Sequence, residues 1–278
     1  MFATFPFHQK LPDFNPVNAG VRASIRCPIG STYRQIIVKH TDTGTPANEA
    51  TMITNIEEVA VKINGSKRIS MTGATAVMLS KFYNKGIFND GELVLDFTRA
   101  WARTMEGEDN LGWGTKNVSN MHLEIKIAAG ATAPTLTADC VLTTDLRDLG
   151  YIVEIHEFPF EAISAGKKEI PDLPKQNGSL VALHLKSTTI NALEVKLGKI
   201  PVIEDDTDLS AYQNNLVRIA GRTLQTGYVH IDAMQNNRIG DVWPLGNLQE
   251  FRVNPTVSAA GSMTIIMETL SSPLPPSK

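Results

Sequence analysis

Apolar and polar residues alternate one for one through much of this chain, in short runs separated by glycine, proline, threonine and asparagine. Val21, Ala23, Ile25 and Cys27 fall on one side of an extended backbone, with Arg22, Ser24 and Arg26 on the other. That is the pattern of a strand half buried against a core. Pro28 and Gly30 end the run, and residues 33–39 form the next strand. The same pattern predicts strands over residues 59–63, 92–97, 123–127, 136–142 and 151–158. It returns over residues 180–186, 193–197, 229–233, 248–253 and 263–268. Asn64-Gly65 is a hairpin signal, because both residues tolerate the positive φ of a tight two-residue loop. Residues 75–85 carry Val77, Met78 and Phe82 at helical spacing, with Thr72 or Thr75 available as the cap. Residues 41–50 read as a polar loop, and residues 101–117, with Trp101 and Trp113 among glycines and acids, as a long functional one.

The alternation repeats on a larger scale. Val61-Lys62-Ile63-Asn64-Gly65, followed by Leu79-Ser80-Lys81-Phe82, has a second copy in Val195-Lys196-Leu197-Gly198-Lys199 and Leu209-Ser210-Ala211-Tyr212. Leu11-Pro12-Asp13-Phe14 matches Ile170-Pro171-Asp172-Leu173, and Ile36-Ile37-Val38-Lys39 matches Leu183-His184-Leu185-Lys186. Gly91 to Asp96 matches Gly227 to Asp232, and Glu124-Ile125-Lys126-Ile127 matches Glu250-Phe251-Arg252-Val253. Order is kept while the offset drifts from roughly 160 to roughly 126 residues, a period suited to a domain and too long for a solenoid. Roughly eight strands per half predict an all-β chain of two tandem eight-stranded antiparallel jelly-roll sandwiches, a double jelly roll with short helices in its loops. The divisions expected are an N-terminal arm over residues 1–18, jelly roll 1 over 19–146, jelly roll 2 over 147–270 and a C-terminal tail over 271–278.

Composition changes this picture only by exclusion. The 278 residues suffice for two cores, and a net charge of −3 with scattered Lys and Arg argues against a nucleic-acid-coating protein. Two cysteines, Cys27 and Cys140, lie inside alternating runs, where a buried free thiol is the usual state. No run reaches the ~18 apolar residues of a membrane span and no signal-peptide pattern opens the chain, so it is expected to be soluble when made in a reducing cytoplasm. The arm carries Phe2, Phe5, Phe7 and Phe14, and it either packs on something else or frays.

Candidate chemistry is sparse. There is no phosphate-binding glycine loop, no G-x-S-x-G and no H-E-x-x-H. The six histidines (His8, His40, His122, His156, His184 and His230) do not cluster along the chain. His122, His184 and His230 occupy the polar face of alternating strands, which predicts solvated or interface side chains. No carboxylate pair, catalytic residue, cofactor-binding residue or metal ligand is nominated. Glu204-Asp205-Asp206-Thr207-Asp208 would suit calcium by its spacing of oxygens, and equally would cap and charge-stabilise the helix start at Leu209. Asn64, Asn117 and Asn177 stand in N-x-S sequons.

Two stretches carry a resemblance. Asn15-Pro16-Val17-Asn18-Ala19-Gly20 followed by Ser24 to Tyr33, and Glu169-Ile170-Pro171-Asp172-Leu173-Pro174 followed by Leu183 to Lys186 and Leu193-Glu194-Val195, resemble the corticovirus major capsid protein family. The similarity in length and layout covers nearly the whole chain, and is poor in the middle of the first half and over residues 101–117. The resemblance implies a non-enzymatic double jelly roll that forms homotrimers, whose six sandwiches give a pseudo-hexagonal capsomer. Such capsomers tile the icosahedral capsid of a bacteriophage virion, over an internal lipid membrane enclosing double-stranded DNA. It also implies as partners the chain itself, vertex and membrane proteins and the lipid, with no sequence-specific nucleic-acid binding. No cofactor is required, and calcium is associated with such shells. The competing classes are a β-sandwich carbohydrate- or receptor-binding module and a glycan-acting enzyme, neither of which calls for a trimer.

Overall fold

The computed structural model describes residues 5–102, 110–170, 173–175, 178–204, 209–246 and 248–272. Two compact units divide the chain: residues 1–155 with 272–278, and residues 156–271. The first unit carries β1 (Pro6–Lys10), β2 (Arg22–Cys27), β3 (Thr32–Asp42), β4 (Thr45–Pro46), α1 (Glu49–Asn55), β5 (Ile56–Ile63), β6 (Ser66–Met71), α2 (Gly73–Tyr83), β7 (Glu92–Asp96), β8 (Trp113–Gly114), β9 (Met121–Ile127) and β10 (Thr135–Thr143). Strand β11 (Ile152–Ala162) carries the division after Ile155. The second unit continues with β12 (Gly166–Lys167), β13 (Ser179–Lys186), β14 (Ile190–Leu197), β15 (Ile200–Ile203), α3 (Leu209–Asn215), a π-helical turn (Leu216–Ala220), β16 (Tyr228–Asp232), a 3-10 turn (Ile239–Asp241), β17 (Trp243–Pro244), β18 (Phe251–Val257) and β19 (Gly261–Ser271).

In the first unit β1, β10, β3 and β7 neighbour one another in that order, with β4 and β8 also on β3. Its second sheet runs β6-β5-β9-β2. In the second unit the corresponding rows are β11-β19-β13-β16, with β17 on β13, and β15-β14-β18-β12. Strand for strand these are the same connections, which is the jelly-roll plan executed twice. The match extends to single residues: Ile37 pairs with Val94 in the first unit, and their sequence counterparts His184 and His230 pair in the second.

One expected correspondence is out of register. Leu123 pairs with Val61 and Val253 with Val195, so Val253 is the counterpart of Leu123, not of Ile127 four residues on. A pattern of period 2 looks the same after a shift by an even number of residues, so alternation finds the strand without fixing its register.

The core of the first unit is filled from both sheets by Ile25, Ile36, Val38, Val61, Leu93, Leu95, Leu123 and Ile125, with Phe97 and Trp113 in tilted contact at 4.3 Å between ring centres. The second core is almost wholly aliphatic: Leu180, Leu183, Leu185, Val195, Ile231, Val253 and Ile265 are closed over by Phe251. Helix α2 forms where expected and starts at Thr72, whose hydroxyl accepts from Thr75 N at 3.2 Å. The Asn64-Gly65 hairpin forms as well, with φ of 49° and 82° and Ile63 opposite Ser66. Gly114 is required by contact: a Cβ there would lie 2.4 Å from the Arg147 carbonyl oxygen.

Two expectations are corrected. Residues 49–55, left without helix by the sequence pattern, form α1 with Asn48 as cap, its side chain accepting from Thr51 N at 2.9 Å. The N-terminal segment, expected either to pack elsewhere as an arm or to fray, supplies β1 to the edge of its own unit's sheet, with Leu11 and Phe14 buried.

Candidate assembly faces and a buried histidine pair

Each unit turns one charged sheet face outward. On β2, β9, β5 and β6, Arg22 bridges Glu58 at 2.5 Å and Glu124 at 3.5 Å, Lys62 reaches Glu124 at 2.6 Å and Lys67 reaches Glu58 at 2.5 Å. Burial would raise the Glu58 carboxyl, but hydrogen bonds from Lys67 and Arg22 outweigh it and bring it down to about 2. In the second unit Glu194 collects Lys196 at 2.8 Å, Asn254 at 2.7 Å and Lys167 at 3.1 Å. The hydrogen bond from Lys196, then that from Asn254, brings its carboxyl to about 2 as well. Both ladders pair each acid with more than one donor, so these faces are hydrophilic without a strong net field.

The opposite sheets differ. In the second unit the face of β13 turned away from the aliphatic core holds His184, which is fully buried along with His230 of β16 and Glu268 of β19. His184 Nδ1 lies 2.8 Å from His230 Nδ1, and His184 Nε2 lies 3.0 Å from Glu268 Oε1. Gln225 donates its backbone N–H to His230 Nε2 at 3.1 Å. That amide fixes the hydrogens. His230 Nε2 accepts, so its hydrogen sits on Nδ1 and points at His184 Nδ1; His184 then carries its hydrogen on Nε2, donated to Glu268. Both rings are neutral in this arrangement, and burial first, then the neighbouring His184, pushes the His230 imidazole down to about 2.

From α3, Gln213 Nε2 donates to the His230 carbonyl and its Oε1 accepts from His230 N at 3.0 Å. The ring of Tyr228 stacks on His230 at 5.8 Å. Beside the pair, Arg222 donates to Asp232 at 2.7 Å with both side chains buried, a desolvated ion pair.

Matches to known proteins follow this architecture. The family model for the viral coat protein P2 N-terminal domain matches residues 8–143, and that for the viral coat protein P2 C-terminal domain matches residues 152–273. The chain belongs to the viral coat protein P2 family. No curated protein sequence matches the chain. Among solved structures, the coat-protein fold resembles the major capsid protein P2 from bacteriophage PM2 at a TM-score of 0.85 and 18% identity, over 96% of this chain and 98% of that one. It also resembles the major capsid protein of Sulfolobus turreted icosahedral virus (TM-score 0.71, 12% identity, 97% of each chain). The capsid protein of the PBCV-1 virus is similar too (TM-score 0.68, 9% identity, 98% of this chain and 97% of that one). The family resemblance and the double jelly roll read from the sequence are borne out, and the chain's role in this coat-protein family is structural, in the virion capsid.

Within this coat protein the expected histidine environments need correcting. Alternation placed His184 and His230 on the face away from the core, which is right, and predicted solvent or an interface there, which is wrong. Helix α3, bonded to His230 through Gln213, lies on that strand. His40 is also buried, between Thr135 O at 3.0 Å and Asn55 Nδ2 at 3.3 Å. His8 is exposed, and His122 and His156 are partly so. Cys27 and Cys140 are buried free thiols, and burial, the larger effect for each, raises both, Cys27 to about 12 and Cys140 to about 11.

Glu204 is exposed, while the rest of the expected calcium or capping cluster, Asp205 to Asp208, lies outside the described residues. So do residues 103–109 of the long loop, Phe2 of the N-terminal segment, residues 273–278 of the tail and the sequon Asn177. Asn64 Oδ1 accepts from Ser119 N at 2.9 Å and Asn117 Oδ1 from Leu149 N at 2.7 Å, so both sequon amides brace loops. Among the described residues no helix is long and apolar enough to cross a membrane, and no group of three or more His, Cys, Asp or Glu could hold a metal ion.

Proposed function

We propose that this chain is the major capsid protein of a membrane-containing, double-stranded DNA bacteriophage, and that three copies join into a pseudo-hexagonal capsomer tiling an icosahedral shell. The observation that carries this reading is the duplication, which is topological down to residue pairs such as Ile37·Val94 and His184·His230. Three chains of two like sandwiches have six similar sectors, so a closed threefold assembly fits a hexagonal lattice without six identical environments. The match of both family models supports the coat role, and the likeness to viral capsid proteins supports the shell.

Partners at the vertices and on the membrane belong to the same proposal. A shell of threefold units cannot close its fivefold positions with the same chain alone, so a distinct vertex protein is expected there. No cofactor enters the reading, and thermal melts in calcium and in chelator are expected to coincide. A rise in melting temperature with calcium would instead assign an ion to residues 204–208.

Sedimentation or mass photometry of the purified chain tests the capsomer. The expected species is three times the 30.3 kDa chain, and electron microscopy of concentrated material should show hexagonal sheets or shells. A chain that stays monomeric and never forms a lattice would overturn the proposal and favour a receptor-binding module.

A further inference from the structure

Residues 221–227, Gly-Arg-Thr-Leu-Gln-Thr-Gly, link the π-helical turn to β16 and begin and end on glycines at φ of 70° and 81°. Between these hinges the segment is held at Arg222 and at Gln225, and at its end the Gly227 carbonyl accepts from Ser187 N at 3.0 Å. Arg222 is tied to Asp232 and to the Ala220 carbonyl. Gln225 is tied by its backbone N–H to His230 Nε2, and that acceptor is a lone pair any added proton can claim.

We propose that the His184–His230 pair is an acid-operated latch, which holds the loop of residues 221–227 closed while both rings are neutral and opens it when the pair takes up one proton. The hydrogen positions leave little alternative. With His230 hydrogenated on Nδ1 and His184 on Nε2, every contact in the row Gln225–His230–His184–Glu268 joins a donor to an acceptor. A proton added at His184 Nδ1 sets two N–H groups against each other 2.8 Å apart. The clash is relieved if His230 moves its hydrogen to Nε2, because His184 as an imidazolium still has Glu268 to hold it. The new N–H then faces the Gln225 N–H at 3.1 Å, and that contact fails. Glu268 draws the proton in and the Gln225 amide is what it displaces.

The charged and titratable groups around the pair come from each neighbouring element of the unit. They are Glu268 on β19, Lys186 on β13 near the Tyr228 ring at 5.9 Å, and Tyr228 and Asp232 on β16. Tyr212 lies on α3, Arg222 stands on the loop, and the charge of Glu157 on β11 reaches Tyr228. Gln213 holds the backbone of His230 and does not titrate, so α3 stays while the loop leaves. The first unit has Ile37 and Val94 at the two equivalent positions and no such response.

Hydrogen exchange of the full-length assembled protein, read by mass spectrometry and corrected for the intrinsic pH dependence of exchange, tests the latch. Protection over residues 221–230 is expected to fall at least tenfold between pH 7.5 and 5. Protection over residues 32–42 and 92–96 should hold. In the His184→Ile/His230→Val double variant, which installs the residue types of the first unit, the fall should vanish. Nitrogen spectra of ring-labelled histidine in the wild type supply a second readout that needs no variant: His230 hydrogenated on Nδ1 and His184 on Nε2 at pH 7.5. Unchanged protection at pH 5, an equal loss in both units, or His230 hydrogenated on Nε2 at neutral pH would each overturn the proposal.

Discussion

The two units use one set of connections to build unlike interiors, and the contrast is sharpest where β3 meets β7 and β13 meets β16. Ile37 faces Val94 in the first unit, partly exposed and inert; His184 faces His230 in the second, fully buried and hydrogen-bonded on both sides. Two residue pairs further along, both units keep an aspartate. Asp96 accepts from Gln35 at 2.6 Å, whereas Asp232 is locked in a buried ion pair with Arg222. Burial raises the Asp96 carboxyl, only partly offset by the Gln35 hydrogen bond. Duplication has therefore conserved pairing and freed chemistry: the backbone ladder fixes which positions meet, and satisfied hydrogen-bond partners decide whether a buried position can be polar.

Substitution and pH each test whether the two units differ in this way. The largest effect is expected from Asp232→Ala, which strands the Arg222 charge in the interior and should cost about 3–5 kcal/mol in chemical denaturation. Asp96→Ala loses a partly exposed contact to a neutral amide and should cost about 1 kcal/mol; equal losses would mean that the two aspartates are equivalent after all.

Next comes acidification. His230 is held neutral when folded and takes up its proton near 6.5 when unfolded, so the unfolded state binds more protons below that pH. The second unit's stability is expected intact above about 6.5 and to fall by about 1.4 kcal/mol per pH unit below it. Glu58 and Glu194 act lower. Their carboxyls are brought from 4.5 to about 2, so their contribution is present above 4.5 and is lost as pH drops toward 2. Melts followed separately over pH 7 to 3 should show the second unit weakening first.

Smaller is the cap of α2: Thr72→Ala should cost ~1 kcal/mol, since the Thr75 amide loses its acceptor. Smallest is Lys62→Ala on the outer ladder, at roughly 0–1 kcal/mol and fading with added salt. A larger, salt-insensitive loss would show that this face is covered in the assembled protein.

Sequence pattern reached the strands, the repeat and helix α2 because each rests on a local period or a cap. It missed α1, whose seven residues Glu49 to Asn55 include three β-branched positions and too few turns to display a stripe. It missed β1 because only Phe7 there is even half-buried, so the strand is defined by its pairing with β10 and not by its own alternation. The histidine pair was invisible for a different reason. Residues 184 and 230 are 46 apart, and only the register of β13 on β16, together with α3 bonded to His230, turns two polar-face residues into one buried network. A usable signal was there: seven of the eight residues of β13 are apolar, histidine or serine, which suits a strand covered on both sides better than one facing water.

In each unit the first strand lies beside the last, β1 on β10 and β11 on β19. A sandwich zipped shut by its own two ends cannot finish forming while the ribosome is still adding its closing residues. The first unit must wait for Thr143 and the second for Ser271. Synthesis thus delivers this protein in two instalments, and the β1–β10 seam of the earlier one can be sealed before the later one has a partner for its opening strand.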